Sequence, residues 1–283
     1  MRVFVAGATG AIGRFLVPLL VAAGHQVTGT SRGQAGLAWL RDQGAHGALV
    51  DVFDPDGVRR AVTAAGPDVV VHQLTALSGG NLADNARIRR EGTRNLVDAA
   101  HEAGVRRIVA QSIAWAYQPG TTPADERTPL DVTAPPPRAQ TVAGVQALED
   151  IVTEIDTHVI LRYGMFYGPG TWYAPGGRTA GQLAAGELAA DAGVTSFVHV
   201  ADAAEATLLA LDWPSGPVNV VDDEPAPARE WVPVLADALD APAPEPTSDR
   251  APWQRGADNA LARSRGWQPR FPSWRTGFPA LRR

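Results

Sequence analysis

Short apolar runs alternate with stretches of three- and four-residue hydrophobic spacing through the first two thirds of the chain. The runs at residues 2–6, 26–30, 47–51, 68–72, 107–111 and 158–162 have the length of strands, and several are apolar at consecutive positions, as strands covered on both faces are. Between them, residues 11–23, 58–65, 83–103 and 143–154 carry apolar side chains at the spacing of helices that pack on a sheet. Strand and helix in alternation predict an α/β fold, a doubly wound parallel sheet with right-handed crossovers.

The pattern changes in two places. Residues 118–139 are rich in Pro, Thr and Asp without periodicity, which predicts a long loop. After Gly168 the spacing loosens: a Gly/Pro/aromatic loop at 171–177, a strand at 195–200, a helix at 202–211, a strand at 217–221 and a proline-rich connector at 240–252. Residues 1–168 plus 194–221 are therefore expected to form a dinucleotide-binding Rossmann domain, and 169–193 plus 222–283 a smaller C-terminal lobe that covers substrate. The tryptophans at the end, Trp253, Trp267 and Trp274, are expected to pack that lobe rather than touch ligand.

The chemistry starts at the first turn. Val3-Phe4-Val5-Ala6-Gly7-Ala8-Thr9-Gly10-Ala11-Ile12-Gly13-Arg14 reads as strand, glycine turn and helix start. Gly7 permits the tight turn, Gly10 lets backbone approach a phosphate, and Gly13 lets helix and strand pack closely, so Gly7, Thr9, Gly10, Ala11, Ile12 and Gly13 are assigned to a dinucleotide pyrophosphate. At the end of the second strand stands Thr30-Ser31-Arg32, where an NAD-selective site has an acid. Ser31 and Arg32, with Arg14 nearby in sequence, suit a 2′-phosphate, so NADP(H) is expected in preference to NAD(H).

Composition narrows the class. Of 283 residues, 45% are hydrophobic and 19% charged, as in soluble globular proteins, and the net charge of −5 offers no basic field for nucleic acid. A small-molecule substrate, with no nucleic acid and no membrane partner, is expected. No run has the length of a membrane span and no signal-peptide pattern opens the chain, which makes the cytoplasm the expected compartment. With no cysteine, thiolate chemistry and cysteine-ligated metal are excluded, and no metal is assigned. The chain also has no lysine, which matters for the catalytic residues.

The glycine spacing is that of short-chain dehydrogenase/reductases, and further segments extend the likeness over nearly the whole chain. They are Asp51-Val52, Val71-His72-Gln73-Leu74-Thr75-Ala76, Gly92-Thr93-Arg94-Asn95-Leu96, Gln111-Ser112, Leu161-Arg162-Tyr163-Gly164, Tyr167-Gly168-Pro169-Gly170, Ser196-Phe197-Val198-His199-Val200-Ala201-Asp202 and Asn219-Val220-Val221-Asp222. In this order they resemble the extended or atypical branch, the NAD-dependent epimerase/dehydratase-like proteins. The resemblance implies that Asp51 holds the adenine amino group, Val52 its ring face, and that Leu74 and Thr75 line the path to the nicotinamide. In many proteins of that branch the helices matching 83–103 and 143–154 form dimer faces, which leaves monomer and homodimer both open.

One part of the family pattern is missing. The family uses a Ser with a Tyr and a Lys four residues later, the ammonium lowering a phenol pKa near 10. Ser112 matches the serine, but alignment through Glu149 puts Thr141 and Val145 where the pair belongs, and a chain without lysine cannot restore it. The first reading is an oxidoreductase or epimerase/dehydratase with a non-standard proton donor, for which Ser112, Tyr117 and Tyr163 are the catalytic candidates. The second is a redox-neutral lyase or isomerase in the same pocket, with Ser112, Gln111 and Thr75 polarising a carbonyl and His199 or Asp202 as base. The third is a catalytically silent NADP(H)-sensing binding protein. Trp115, Phe166, Trp172 and Tyr173 supply an aromatic wall that suits a small aromatic or polyketide-like metabolite, and Arg178 is a candidate anion contact.

Overall fold

The computed structural model describes residues 1–76 and 82–282. Its centre is a seven-stranded sheet built from β1 (Arg2–Ala6), β2 (Gln26–Ser31), β3 (His46–Leu49), β4 (Val69–His72), β5 (Arg107–Ile113), β6 (Thr157–Tyr163) and, after three short strands, β10 (Gly216–Val220). The strand order is β10-β6-β5-β4-β1-β2-β3; β1 pairs in parallel with β2 and β4, β2 with β3, and β4 with β5, the doubly wound arrangement expected from the alternation. β1 and β4 lie at its centre, which is why Val3, Phe4, Val5, Val69, Val70 and Val71 are apolar in succession and buried on both faces.

The helices around this sheet are α1 (Gly13–Ala22), α2 (Gln34–Asp42), α3 (Pro55–Ala65), α4 (Leu82–Arg87), α5 (Thr93–Glu102) and α6 (Arg138–Val152). Val58 and Val62 of α3, Leu96, Val97 and Ala100 of α5, and Leu148 and Val152 of α6 bury their apolar stripes in one cluster with Phe4, Val70 and Ile108. The single helix expected over 83–103 is interrupted: a π-helical turn, Ile88–Gly92, separates α4 from α5. Periodicity does not report it, because one extra residue per turn merely rotates the apolar stripe, while here it brings Arg89 into the interior, 4% exposed. The long loop ends earlier than expected, since α6 begins at Arg138, and α2 was not predicted by the spacing.

Contacts group the described chain into two compact units: Met1–Ser112, Val132–Leu161 and Thr207–Pro217 form one; Ile113–Asp131, Arg162–Ala206 and Val218–Arg283 the other. The second unit contains β7 (Met165–Tyr167), α7 (Arg178–Ala184), β8 (Val194–Thr195), β9 (Phe197–His199), most of α8 (Val200–Leu209), β11 (Ala226–Pro227), α9 (Ala228–Ala238), α10 (Ala260–Ser264) and α11 (Trp274–Gly277). β7 pairs with β9 in parallel, and β8 with β11 antiparallel. Its core is aromatic: Tyr167, Tyr173, Phe197, Trp231, Trp274 and Phe278 share one buried cluster. The elements α7 and α9 were not anticipated: α7, of seven residues, carries too few periods to register, while α9 buries Trp231, Val232, Leu235 and Ala236 at helical spacing around an internal Pro233.

Candidate active site

The first unit holds the glycine turn in the form its spacing requires. Gly7 has φ +90°, and a Cβ there would meet the Gln73 carbonyl oxygen at 2.6 Å; a Cβ on Gly13 would meet the Ala8 oxygen at 2.3 Å. Side chains are thus excluded by backbone at both positions. Gly10 is exposed, and its N–H donates to the Gly7 oxygen at 3.0 Å. The Gly7 N–H donates to Thr30 Oγ1 at 3.1 Å, tying the turn to the end of β2, where Ser31 and Arg32 follow. A tight, side-chain-free turn opening on a helix start fits a dinucleotide pyrophosphate, so the residues present fit the cofactor that the fold implies.

The other cofactor candidates of this unit are arranged as follows. Ser31 Oγ is engaged within its own turn, donating to the Gly33 oxygen at 2.9 Å and accepting its N–H at 3.1 Å. Arg32 is exposed and has no ion pair among the described residues, and Arg14 is exposed with its guanidinium 5.2 Å from the centre of the Trp39 ring. Asp51 is exposed and accepts the Phe53 N–H at 3.0 Å, while Val52 is half-buried and its carbonyl accepts from Asn95 Nδ2 at 2.9 Å. The Leu74 carbonyl accepts from Gln111 Nε2 at 3.2 Å; Thr75 is exposed.

A buried polar group lies behind them. Leu74 N–H donates to His72 Nδ1 at 3.2 Å, so Nε2 carries the imidazole proton and gives it to Thr93 Oγ1 at 2.9 Å. Burial, with the charge of Arg89 nearby, brings the His72 pKa down to about 4. The unfolded chain then takes up a proton that the folded chain refuses, so stability is full at neutral pH and falls as pH drops from about 6.5 toward 4. His72 alone accounts for about 3 kcal/mol of that loss, and His199, with burial bringing it also to about 4, adds to it. Melting temperatures measured from pH 7 to pH 4 are expected to fall, and His72→Asn to flatten the slope; an equal slope in the variant would contradict this.

Ser112, at the end of β5, donates its hydroxyl proton to Glu149 Oε1 of α6 at 2.6 Å, and both residues are buried. Glu149 is two turns along the same face from Thr141, with Val145 between them, and α6 carries no tyrosine and no lysine. Glu149 was legible in the sequence only as an alignment anchor. Its pairing with Ser112 is a contact between residues 37 apart and has no local signal.

The second unit contains a cavity of about 250 Å³ lined by Trp115, Tyr117, Met165, Tyr173, Trp253 and Arg255 among others. Trp115 and Tyr173, two of the four aromatic residues assigned to substrate, line this cavity. Trp253 also lines it, its ring centre 6.2 Å from that of Trp115. Trp267 and Trp274 do pack: both are fully buried, and their indole N–H groups donate to the carbonyls of Asp202 and Glu224. Phe166 packs on Tyr163 at 5.2 Å and Trp172 lies under the Arg178 guanidinium at 5.1 Å; neither is among the described lining residues.

Tyr117 donates to Asn219 Oδ1 at 2.5 Å, and the same oxygen accepts from Arg162 Nη1 at 3.1 Å, so that hydroxyl is engaged both as donor and as acceptor. Tyr163 is buried, 1% exposed. His199 stacks on Phe271 at 3.9 Å and its Nδ1 accepts the Ala201 N–H, while Asp202 accepts the N–H groups of Arg270 and Phe271. These two candidates for a base therefore anchor the C-terminal segment. Among the described residues there is no cluster able to hold a metal, and no helix long and apolar enough to cross a membrane.

A parallel doubly wound sheet with a glycine turn after its first strand defines a nucleotide-dependent enzyme of the Rossmann class. The profile of the NAD dependent epimerase/dehydratase family matches residues 3–221, and the chain belongs to that family, whose members carry out oxidoreductase or epimerase chemistry with a nicotinamide cofactor. It is 46% identical to a 3-diazoavenalumate denitrifying reductase of a Streptomyces species, over 98% of this chain and 99% of that protein. It is 31% identical to the 2'-dehydrokanamycin reductase of Streptomyces kanamyceticus, over 89% of this chain and 70% of the relative. Among solved structures, the UDP-glucose 4-epimerase of Thermus thermophilus in complex with NAD superposes with a TM-score of 0.74 at 27% identity, covering 100% of this chain and 99% of that one. The Bordetella bronchiseptica enzyme WbmG, in complex with NAD and UDP, shares the fold with a TM-score of 0.77 at 24% identity, covering 99% and 94%.

Proposed function

We propose that this chain is an NADP(H)-dependent reductase of a small aromatic carboxylate bearing a diazo group, and that it works without a side-chain proton donor. The first unit is assigned the cofactor and the second the substrate. The observation that carries the reading is the direction of the hydroxyl protons: Ser112 gives its proton to Glu149 and Tyr117 to Asn219. The reading also takes Thr141 and Val145, by alignment through Glu149, for the positions of the family's acid and cation, and the chain has no lysine.

Bound NADPH supplies a hydride, and an aryl diazonium is the acceptor that needs nothing else: the C–H bond forms, the C–N bond breaks, and Ar–N₂⁺ plus NADPH gives Ar–H, N₂ and NADP⁺. The 46% identical relative, named as a denitrifying reductase of a diazo carboxylate, supports this substrate class. Trp115, Trp253, Tyr117 and Tyr173 favour a flat aromatic ring in a cavity of about 250 Å³.

The test uses NADPH deuterated at C4 and an ortho-hydroxyarene diazonium carboxylate. Deuterium is expected at the carbon that carried nitrogen, with one N₂ and one NADP⁺ per product. Ser112→Ala and Tyr117→Phe are expected to lower kcat less than about tenfold, against the 10²–10⁴ that loss of a general acid costs. Hydrogen drawn from solvent at that carbon, or a loss of about a thousandfold in Tyr117→Phe, overturns the reading.

A further inference from the structure

The cavity of the second unit joins a wall of rings to a fixed cation. Among its described lining residues Trp115, Tyr117, Tyr173, Trp253 and Met165 present aromatic or apolar surface, and Arg255 is the one charged side chain. The Arg255 backbone is bridged in parallel to Val194 of β8. Its guanidinium is held by the loop at 118–122: Nε donates to the Thr122 carbonyl at 2.6 Å, Nη1 to the Gln118 carbonyl at 3.3 Å and Nη2 to Thr122 Oγ1 at 3.5 Å. Gly120 lies against it so closely that a Cβ there would be 2.2 Å from Arg255 Cζ.

Each of those acceptors is neutral, and no carboxylate pairs with Arg255 among the described residues. Carbonyls satisfy hydrogen bonds without cancelling the charge, and a cavity walled by rings screens it less than water does. A guanidinium has five N–H donors and these bonds use three, so Nη1 and Nη2 each keep one. Two N–H groups and an uncancelled charge are what a carboxylate takes in a bidentate pair. Other polar atoms of the lining are committed elsewhere: Ser196 Oγ donates to the Ala257 carbonyl and accepts the Ala257 N–H, and Gln254 Oε1 accepts the Ala251 N–H.

We propose that Arg255 is the specificity-determining residue of this cavity, binding the carboxylate of the substrate while the rings of Trp115, Trp253 and Tyr173 cover its aromatic part. This rests on the reading of the substrate as a small aromatic carboxylate. The free acid is taken, and an ester or amide at the same carbon is not. Reduction therefore comes before any reaction that esterifies or amidates that carboxyl group. Neighbouring arginines do not fill this role. Arg178, the anion candidate of the sequence, lies over Trp172 and is not among the described lining residues. Arg162 is buried and donates to the Tyr117 hydroxyl. Arg250 donates to the carbonyls of Gly120 and Gln254 and is likewise not among the described lining residues.

The experiment measures binding of cinnamate and of cinnamamide to the full chain by titration calorimetry, neither compound carrying a diazo group. Wild type is expected to bind cinnamate at least about tenfold more tightly than the amide, the contribution of a charged hydrogen-bonded pair. Arg255→Gln, its fold checked by circular dichroism, is expected to raise the cinnamate Kd about thirtyfold and to leave the amide Kd within about threefold, and Arg255→Lys to recover part of the loss. Arg250→Gln removes the other arginine that straps the loop at 118–122 and is expected to leave the ratio of the two Kd values unchanged. A wild type that binds acid and amide equally overturns the proposal, as does an Arg255→Gln variant that weakens both alike, the mark of an arginine that merely holds the loop. Cinnamate binding that follows Arg255, with no reduction of an arene diazonium carboxylate, leaves the anion site standing and overturns the reaction instead. Reduction of that diazonium with kcat/KM unchanged in Arg255→Gln does the reverse.

Discussion

Gly13→Val is expected to abolish measurable NADPH binding, a loss of at least a hundredfold in affinity. Its Cβ would be 2.3 Å from the Ala8 carbonyl oxygen and 2.6 Å from that of Gly7, and both are backbone atoms of the turn itself. Relief requires the start of α1 to move away from β1, and with it the amides that would face the pyrophosphate. Gly7→Ala adds a second route to the same end, since φ +90° is unfavourable for alanine and the Gln73 carbonyl stands 2.6 Å from its Cβ. A hundredfold is about 2.7 kcal/mol, within what a forced backbone shift costs. Titration of NADPH against tryptophan fluorescence checks this. Gly181→Ala in α7, where nothing lies within 4 Å of the new Cβ, serves as the control that keeps full binding. Gly13→Val binding within threefold of wild type would remove the turn from the cofactor site.

Arg32→Glu is expected to cost about a hundredfold in NADPH affinity and to leave NADH affinity unchanged or improved. Arg32 is exposed, just beyond β2, and without an ion pair among the described residues, so its guanidinium is available to a doubly charged phosphate. Reversal of its charge both removes a charge-assisted pair, roughly 1.5–3 kcal/mol, and places an anion beside the 2′-phosphate. The ratio of the two dissociation constants, taken at low and at moderate salt, is the measurement. The preference should weaken with salt, because the charges are near the surface. Equal losses for NADPH and NADH would return the 2′-phosphate role to another residue.

Much of the first unit was legible because its signals are local. The apolar runs at 2–6 and 68–72 become the central strands, and the spacing Gly7, Gly10, Gly13 becomes a turn with no room for side chains. The π-helical turn was not legible, nor was the buried Arg89 that depends on it, since an arginine at that position reads as a solvated helix residue. Trp253 shows the same limit in the second unit: its place beside Trp115 joins residues 138 positions apart along the chain, and no periodicity reports such a pair.

The sequence by itself determined the strand and helix alternation, the glycine turn, and the absence of lysine, because each is a property of residue type and spacing. Only the tertiary structure decided where the protons and charges point: Ser112 toward Glu149, Tyr117 toward Asn219, Arg89 inward. The physical reason is that a hydrogen bond or a buried charge is a relation between distant side chains, and its sign depends on which partner the fold delivers.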